Sequence, residues 1–106
     1  MENNYGVIST TIDNMKKAQE ISDKILEKGL SQCVQINKIN SIYNWKTKIC
    51  NNVEYKIQIK SIDDSSIISK ITDVIKENHT YEVPEMIFIP IRILTEEYKS
   101  WIDSIN

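Results

Sequence analysis

The chain has 106 residues and a formal net charge of -2 at pH 7, with acidic and basic side chains interspersed. That length suits one domain with a modest core, so we expect residues 1–106 to form a single domain. The charge balance gives no basic surface for nucleic acid, and no apolar run approaches the ~20 residues of a membrane span, so we expect neither nucleic-acid binding nor membrane insertion. The N-terminal residues lack the basic and apolar regions of a signal peptide, which predicts a cytoplasmic protein.

The first half of the chain predicts a strand, a helix and a long strand. Residues 5–11 are β-prone, and Asp13 is the expected N-cap at the start of a helix whose apolar positions follow from Met15. Apolar residues then recur at three- and four-residue steps until Gly29, which is expected to end the helix. Residues 33–46 contain neither Gly nor Pro and carry β-favouring side chains throughout, which predicts one long strand.

A second strand is predicted to pair with the long one as a hairpin. Turn formers fall at residues 48–52, and residues 53–60 alternate apolar with polar or charged side chains in strict period two. The clear alternation makes this the best-defined strand of the sequence.

The register of the hairpin depends on the centre of its turn. A turn centred near Cys50 would place Trp45 opposite Tyr55 and Tyr43 opposite Ile57. Period two puts both aromatic side chains of the first strand on one face of the ribbon.

The last third of the chain predicts a helix, a short strand and a terminal helix. Asp63 or Asp64 is the expected cap of the first helix, which carries one apolar stripe. Residues 86–93 read as a buried strand in which Pro90 indicates an edge or a bulge. Thr95 is expected to open the last helix.

The order βαββαβ plus a terminal helix predicts an α+β ferredoxin-like fold, with four antiparallel strands and both main helices on one face. Residues 33–46 would span roughly 45 Å when extended, whereas a compact domain of this size is about 33 Å across. We therefore expect the hairpin to extend beyond its own domain and to expose the rings of Tyr43 and Trp45, which favours self-association. Two alternatives stay open: the rings belong to the intrachain core, or a bend near residues 37–38 folds the hairpin back.

The two cysteines, Cys33 and Cys50, are too few for a disulfide scaffold and lack the spacing of a zinc or redox pair. Placed at the two ends of one extended segment, they would lie far beyond the ~7 Å limit for a bridge. We expect two free thiols.

Five segments resemble known sequence motifs: residues 32–36, 41–46, 59–61, 79–85 and 98–102. The pattern Ser-x-Tyr-x-Trp-Lys at 41–46 and the pattern His-x-Tyr-x-x-Pro-Glu at 79–85 are the most specific. Together they resemble the CutA family of small trimeric ferredoxin-like proteins, which is linked to divalent-cation tolerance and, in some organisms, to copper binding or protein anchoring. The resemblance covers nearly the whole chain. It implies a non-enzymatic homotrimeric binding or scaffold protein with ligand clefts between subunits.

The sequence departs from the pattern of the family at several positions. Thr47 and Thr80 stand where the family usually has Gly and Pro, and residues 37–38 replace a Pro-Gly that often breaks the long strand. Residues 9–11 are Ser-Thr-Thr, where some members carry a cysteine that has been tied to copper. This last departure weakens a copper role.

The resemblance implies no required cofactor. It does allow a weak metal site. His79 is the single histidine and could be a neutral ligand for Cu(II) or another divalent cation, bound weakly, with Cys33 or Glu85 if a trimer brings them close. The alternative is that the His79 ring caps a helix or packs at the subunit boundary, and that the Cys33 thiol is simply buried.

The intersubunit cleft implied by the resemblance could take a small anion or metabolite, as in the structurally similar PII signalling proteins. The alternative is that the charged residues at the strand ends are only solvated. For the proline before the last strand, the alternative is that it only keeps the chain extended as it enters that strand. The side chains expected to line this cleft are Tyr43, Trp45, Lys46, Lys60, Tyr81, Glu82 and Pro84.

An enzyme on the same fold, such as an acylphosphatase-like hydrolase, is the competing function. That chemistry needs a backbone anion cradle and an arginine. Only Gly6 and Gly29 are available as glycines, and Arg92 is the one arginine. We therefore expect no catalytic residues. We also do not expect an RNA-binding sheet, because the strands of this sequence lack the aromatic and basic motif of such sheets.

Overall fold

The structure is a computed structural model that describes residues 2–105. The four strands form one antiparallel sheet in the order β2-β3-β1-β4. This confirms the predicted α+β ferredoxin-like arrangement. Along the chain the elements are β1 (Tyr5–Ile12), α1 (Met15–Glu27), β2 (Val34–Trp45), β3 (Lys48–Ile62), α2 (Ser65–Asn78), β4 (Ile87–Ile91) and α3 (Glu96–Asp103).

The ends of α1 show both a correction and a confirmation. The cap is Asn14, whose side-chain oxygen accepts a hydrogen bond from the Lys17 amide at 3.0 Å, so the prediction of Asp13 was wrong by one residue. The cap must be the extended residue directly before the first helical one, and Asn14 holds that place. Gly29 ends the helix as predicted, with φ 67, and its amide and that of the next residue bond back to the last turn.

The caps of the other two helices follow the sequence prediction. Asp64 accepts hydrogen bonds from the amides of Ser66 and Ile67, at 2.9 and 3.0 Å. Thr95 accepts one from the Tyr98 amide at 3.4 Å. Each side chain satisfies amides that have no partner inside the first helical turn.

β4 is shorter than the predicted strand at residues 86–93, and the prediction that it is buried is wrong, because Ile87 and Ile89 are 46% and 43% exposed. It pairs only with β1, from Tyr5 opposite Ile91 to Ser9 opposite Ile87, and pairing stops where β1 begins. Pro90 is therefore on an edge strand, as predicted, where a missing amide costs no ladder hydrogen bond on the open side.

The core lies between the sheet and the two helices α1 and α2. Alternate residues of the strands face the helices, because side chains of a strand alternate between the two faces. The opposite face is covered at one end by α3, where Ile102 packs against Tyr5 and Ile62. The fully buried isoleucines of the main core are Ile12, Ile21, Ile25, Ile57, Ile59, Ile71 and Ile75.

The hairpin of β2 and β3 extends beyond the rest of the chain, as predicted. β1 pairs with β3 only as far as Tyr55, so the pairs from Ile39 with Glu54 to Trp45 with Lys48 have no further strand beside them. We call residues 39–54 the outer hairpin. The chain measures 48 × 25 × 22 Å. Pairing runs without interruption along β2, so no bulge folds the hairpin back.

The turn of the hairpin was predicted at residues 48–52, and this is wrong. The two turn residues are Lys46 and Thr47, with φ 48 and 69. Two successive left-handed residues form a tight turn whose twist matches that of the flanking strands, and this allows the strands to pair right up to the turn.

The predicted register is wrong for the same reason. Moving the turn shifts every partner of the two aromatic residues on β2. The observed pairs are Tyr43 with Cys50, Trp45 with Lys48, Lys38 with Tyr55 and Ile36 with Ile57.

The two cysteines therefore do not lie at the two ends of one strand, because Cys50 lies on β3. Both thiols are free, as predicted. The partner of Cys50 on β2 is Tyr43, ten residues beyond Cys33, which separates the two sulfurs by roughly 33 Å along the ribbon.

Candidate functional site

An open groove of about 610 Å³ lies between the outer hairpin and residues 79–85. We call it the hairpin groove. Its strand residues all project from the sheet face opposite α1 and α2, as the register and the two-residue period require. The lining residues are Thr11, Ile39, Ser41, Tyr43, Trp45, Glu54, Lys56, Tyr81, Glu82, Val83 and Glu85.

His79 fixes the segment that forms one wall of the groove. Its Nε2 lies 2.7 Å from the carbonyl oxygen of Thr11, and its Nδ1 accepts a hydrogen bond from the Tyr81 amide at 3.1 Å. A carbonyl can only accept, so the proton is on Nε2. The imidazole also meets the Tyr81 ring edge-on, with centroids 4.7 Å apart. The residues after α2 are thereby tied to the end of β1.

Glu54 is the buried charged residue of the groove, only 5% exposed. The Tyr81 hydroxyl donates a hydrogen bond to its Oε2 at 2.5 Å. Burial, followed by this bond to the carboxylate, raises the pKa of Tyr81 well above its usual range. Within residues 2–105, no side chain donates to Oε1 and no cation forms an ion pair with this carboxylate.

The tip of the hairpin leans toward residues 79–85. The Lys46 ammonium lies 3.8 Å from a Glu82 carboxylate oxygen, with the two side chains 72% and 71% exposed, and 5.6 Å from the centroid of the Trp45 ring. Contacts this exposed contribute little free energy. The rings of Tyr43 and Trp45 are 37% and 40% exposed, so they border open space and are not intrachain core.

Comparison with known proteins decides the family. Residues 6–105 match the family described as CutA1 divalent ion tolerance protein. The chain belongs to this family. It is 38% identical over 97 residues to Protein CutA of Homo sapiens, an alignment that covers 91% of this chain and 53% of the human protein. The chain therefore spans about half the length of that relative.

Solved structures of CutA1 proteins have the same fold. The structure from Shewanella sp. SIB1 matches with a TM-score of 0.87 and 33% identity, covering 97% of this chain and 95% of that one. The structure of the periplasmic divalent cation tolerance protein CutA from Archaeoglobus fulgidus matches with a TM-score of 0.86 and 31% identity, covering 93% and 95%. No helix among residues 2–105 of this CutA1 family member has both the length and the apolar character needed to cross a membrane.

The hairpin groove brings together most of the side chains predicted for the cleft. Four of them, Tyr43, Trp45, Tyr81 and Glu82, line it, and Lys46 stands at its rim.

Two other predicted cleft residues lie outside the hairpin groove. The Lys60 ammonium lies under α3, 3.2 Å from the Tyr98 hydroxyl and 5.6 Å from the centroid of that ring. Pro84 is half-buried beside the groove but is not part of its lining.

The predicted metal ligands do not meet within one subunit. The Cys33 carbonyl pairs with the Lys60 amide, whereas His79 is held at Thr11, opposite Lys56. Four residues along a strand correspond to about 13 Å. Glu85 lines the groove. Across residues 2–105, no three His, Cys, Asp or Glu side chains lie close enough together to hold a metal ion.

The sequence prediction missed Glu54, the most buried charged residue of the groove. Its strand alternates apolar and polar residues, and Glu54 and Lys56 share one face. In the sequence, Glu54 and Lys56 look like any two solvent-exposed charged residues of a strand. The cover comes from Tyr81, distant in sequence, and only tertiary contact reveals it.

Proposed function

We propose that this CutA1 family member is a non-enzymatic homotrimeric binding or scaffold protein. Clefts between its subunits would take a divalent cation or a small ligand, in a response to divalent metals such as copper. Support comes from the family and from the names of relatives, which are divalent ion tolerance proteins. The observation that carries the trimer is the outer hairpin, whose face with Ile42, Ile49 and Val53 has no cover in a single chain.

The outer hairpin exposes apolar side chains that a soluble monomer would normally cover. Ile42 and Ile49 are 71% and 79% exposed, and the register makes them diagonal neighbours on the face that also carries Val53. Burying each isoleucine fully would stabilise an assembly by about 1.5–3 kcal/mol. Both edges of the sheet, β2 and β4, also have unpaired backbone groups in the single subunit.

Light scattering tests the assembly directly. We expect a particle of about three times the 12.4 kDa subunit mass at micromolar concentration. The double change Ile42→Lys with Ile49→Lys should dissociate it, because two charges would enter an apolar contact. Leu26→Lys on α1, also an exposed apolar position, is the matched control and should leave the mass unchanged. A monomeric wild-type protein would refute the trimer.

The metal part of the proposal concerns His79 with Cys33 and Glu85 contributed across subunits. Both ring nitrogens of His79 already make hydrogen bonds, so a cation at Nδ1 has to displace the Tyr81 amide. Binding should therefore be weak. Calorimetry with Cu(II) should show heat that His79→Ala and Cys33→Ser each reduce, with Cys50→Ser as the control. Equal heat from all variants would rule these residues out as ligands.

The surroundings of the two candidate glycines support a non-enzymatic function. Gly6 lies against the Phe88 ring and Gly29 ends α1, so each has a structural role, and Arg92 is exposed just past β4. None of these residues lines the hairpin groove. Phosphatase activity that persists through purification and disappears in Arg92→Ala would contradict this part of the proposal.

Residence in the cytoplasm is also part of the proposal. A solved relative is described as periplasmic, so the compartment can differ among members of the family. Fractionation of cells producing the chain at native level, with compartment markers, would decide it.

A further inference from the structure

We propose that the hairpin groove binds an organic cation, a primary ammonium or guanidinium carried on an apolar body. The inference deepens the proposed ligand cleft and rests on the proposed function only for the presence of a ligand at the outer hairpin. It adds the chemical class of that ligand.

The first argument is the unbalanced charge of Glu54. A carboxylate that is only 5% exposed is unfavourable unless a cation or several donors compensate it. Tyr81 supplies one hydrogen bond to Oε2, and no side chain of residues 2–105 donates to Oε1. Because the residue lines the groove, a ligand cation can reach this oxygen from the open side.

The second argument is the composition of the walls. The rings of Tyr43, Trp45 and Tyr81 surround the space, together with the apolar side chains of Ile39 and Val83. Aromatic faces attract ammonium and guanidinium groups and also pack well against alkyl or aryl chains. A volume of about 610 Å³ is typical of small-molecule sites, which are mostly apolar with a few fixed polar groups.

The third argument separates an organic cation from a metal ion and from an anion. No three potential ligands among residues 2–105 converge on one point, so the carboxylates of the groove do not form a metal cage. An anion would meet Glu54, Glu82 and Glu85, against Lys56 as the only ammonium in the lining. Lys46 at the rim adds a second ammonium, 3.8 Å from Glu82, so the three carboxylates still outnumber the ammonium groups around the groove.

Three probes with the same aromatic body and different head groups test the charge preference: phenethylammonium, 2-phenylethanol and 3-phenylpropionate. Trp45 fluorescence reports binding in a Trp101→Phe background, because Trp101 is on α3, outside the groove. We expect saturable binding of the ammonium, binding of the alcohol about tenfold weaker, and none of the carboxylate. An alcohol that binds as tightly as the ammonium would overturn the inference.

Variants assign the preference to the groove. Glu54→Gln keeps the size of the side chain and should reduce the affinity for the ammonium about tenfold while leaving the alcohol unchanged. Glu77→Gln, on the exposed side of α2, is the matched control. If Glu54→Gln fails to fold, Tyr43→Leu should weaken binding of the ammonium about threefold through the lost cation–π contact. Unchanged affinity in the folded groove variants would refute the site.

The same samples separate this inference from the proposed function. Light scattering on the fluorescence samples reports whether a trimer is present. A trimer in which Trp45 does not respond to the ammonium would overturn the inference and leave the trimer standing. A monomer that binds the ammonium selectively would support the inference and refute the trimer.

Discussion

The two halves of β3 belong to one continuous strand but have very different surroundings. In the inner half, residues 55–62, the apolar positions Ile57 and Ile59 are fully buried under α1 and α2. In the outer half, residues 48–54, Val53 is 44% exposed, because the helices do not reach it. The alternation therefore specifies which face a side chain occupies but does not specify how deeply it is buried.

Glu54 shows the same principle in reverse. It stands on the polar side of the alternation, yet it is 5% exposed, because residues 79–85 cross over that face. The inner half of the strand is completed within the subunit, and the outer half depends on a loop and, in our proposal, on other copies. Substitutions in the two halves should consequently affect different properties.

The largest effect is expected from Ile57→Ala in the inner half. Removing a fully buried branched side chain leaves a cavity in the main core and should lower the free energy of unfolding by about 2–5 kcal/mol. The matched change in the outer half is Ile49→Ala, which should cost less than about 0.5 kcal/mol within the subunit. Denaturant unfolding measures both, at a protein concentration low enough that light scattering shows a monomer, so that contacts with other copies do not contribute. Equal costs would remove the distinction between the two halves.

A smaller effect is expected from Gly6→Ala, also in the inner sheet. A Cβ at this position would stand 2.1 Å from the Phe88 ring, so the ring has to move. Overpacking of this kind should cost about 1–3 kcal/mol. Phe88→Leu should recover part of that loss in the double variant. If the two single costs simply add, the contact between residues 6 and 88 is not the cause.

A glycine in the turn of the outer hairpin should increase the free energy of unfolding. Thr47 is β-branched and has φ 69, a conformation that glycine adopts without steric cost. Thr47→Gly should therefore raise stability by up to about 1 kcal/mol, measured by thermal unfolding. Thr95→Gly is a useful contrast, because that threonine has φ -121 and caps α3, so its loss should destabilise. A destabilising Thr47→Gly would show that the left-handed backbone of Thr47 is not a source of strain.

The smallest effect at neutral pH is expected from Tyr5, because its contribution to stability changes only at alkaline pH. Burial, followed by the hydrogen bond to Asp103, raises the pKa of Tyr5 to about 12, above the 10.0 of an exposed phenol. The unfolded chain loses its proton first, so this contribution is complete below pH 10 and is lost as the pH rises toward 12. Tyr5→Phe should flatten the fall in melting temperature across that window. An unchanged slope would exclude Tyr5 as its source.

Signals that act over short stretches of chain predicted most of the fold. Apolar stripes, the caps at Asp64 and Thr95, and Gly29 at the end of α1 act within one or two turns of chain, and the structure agrees with each. The hairpin turn was misplaced, because two asparagines at residues 51–52 are stronger turn formers than the pair Lys46-Thr47. The observed turn relies on strand pairing to hold two non-glycine residues in the left-handed region.

The candidate site was only partly predictable. Tyr43, Trp45 and Tyr81 stand out as aromatic residues in specific motifs, and the structure places them around one groove. Glu54 carries no such signal, and Lys60, which a motif did indicate, lies under α3 instead.

By itself the sequence determined the element order, the faces of the strands and a hairpin too long for its own subunit, because periodicity and residue count are local properties. Only the tertiary structure decided the register, the lean of the hairpin toward residues 79–85 and the burial of Glu54. These features depend on contacts between segments far apart in the chain. Their energies come from burial and hydrogen bonding that exist only once the segments meet.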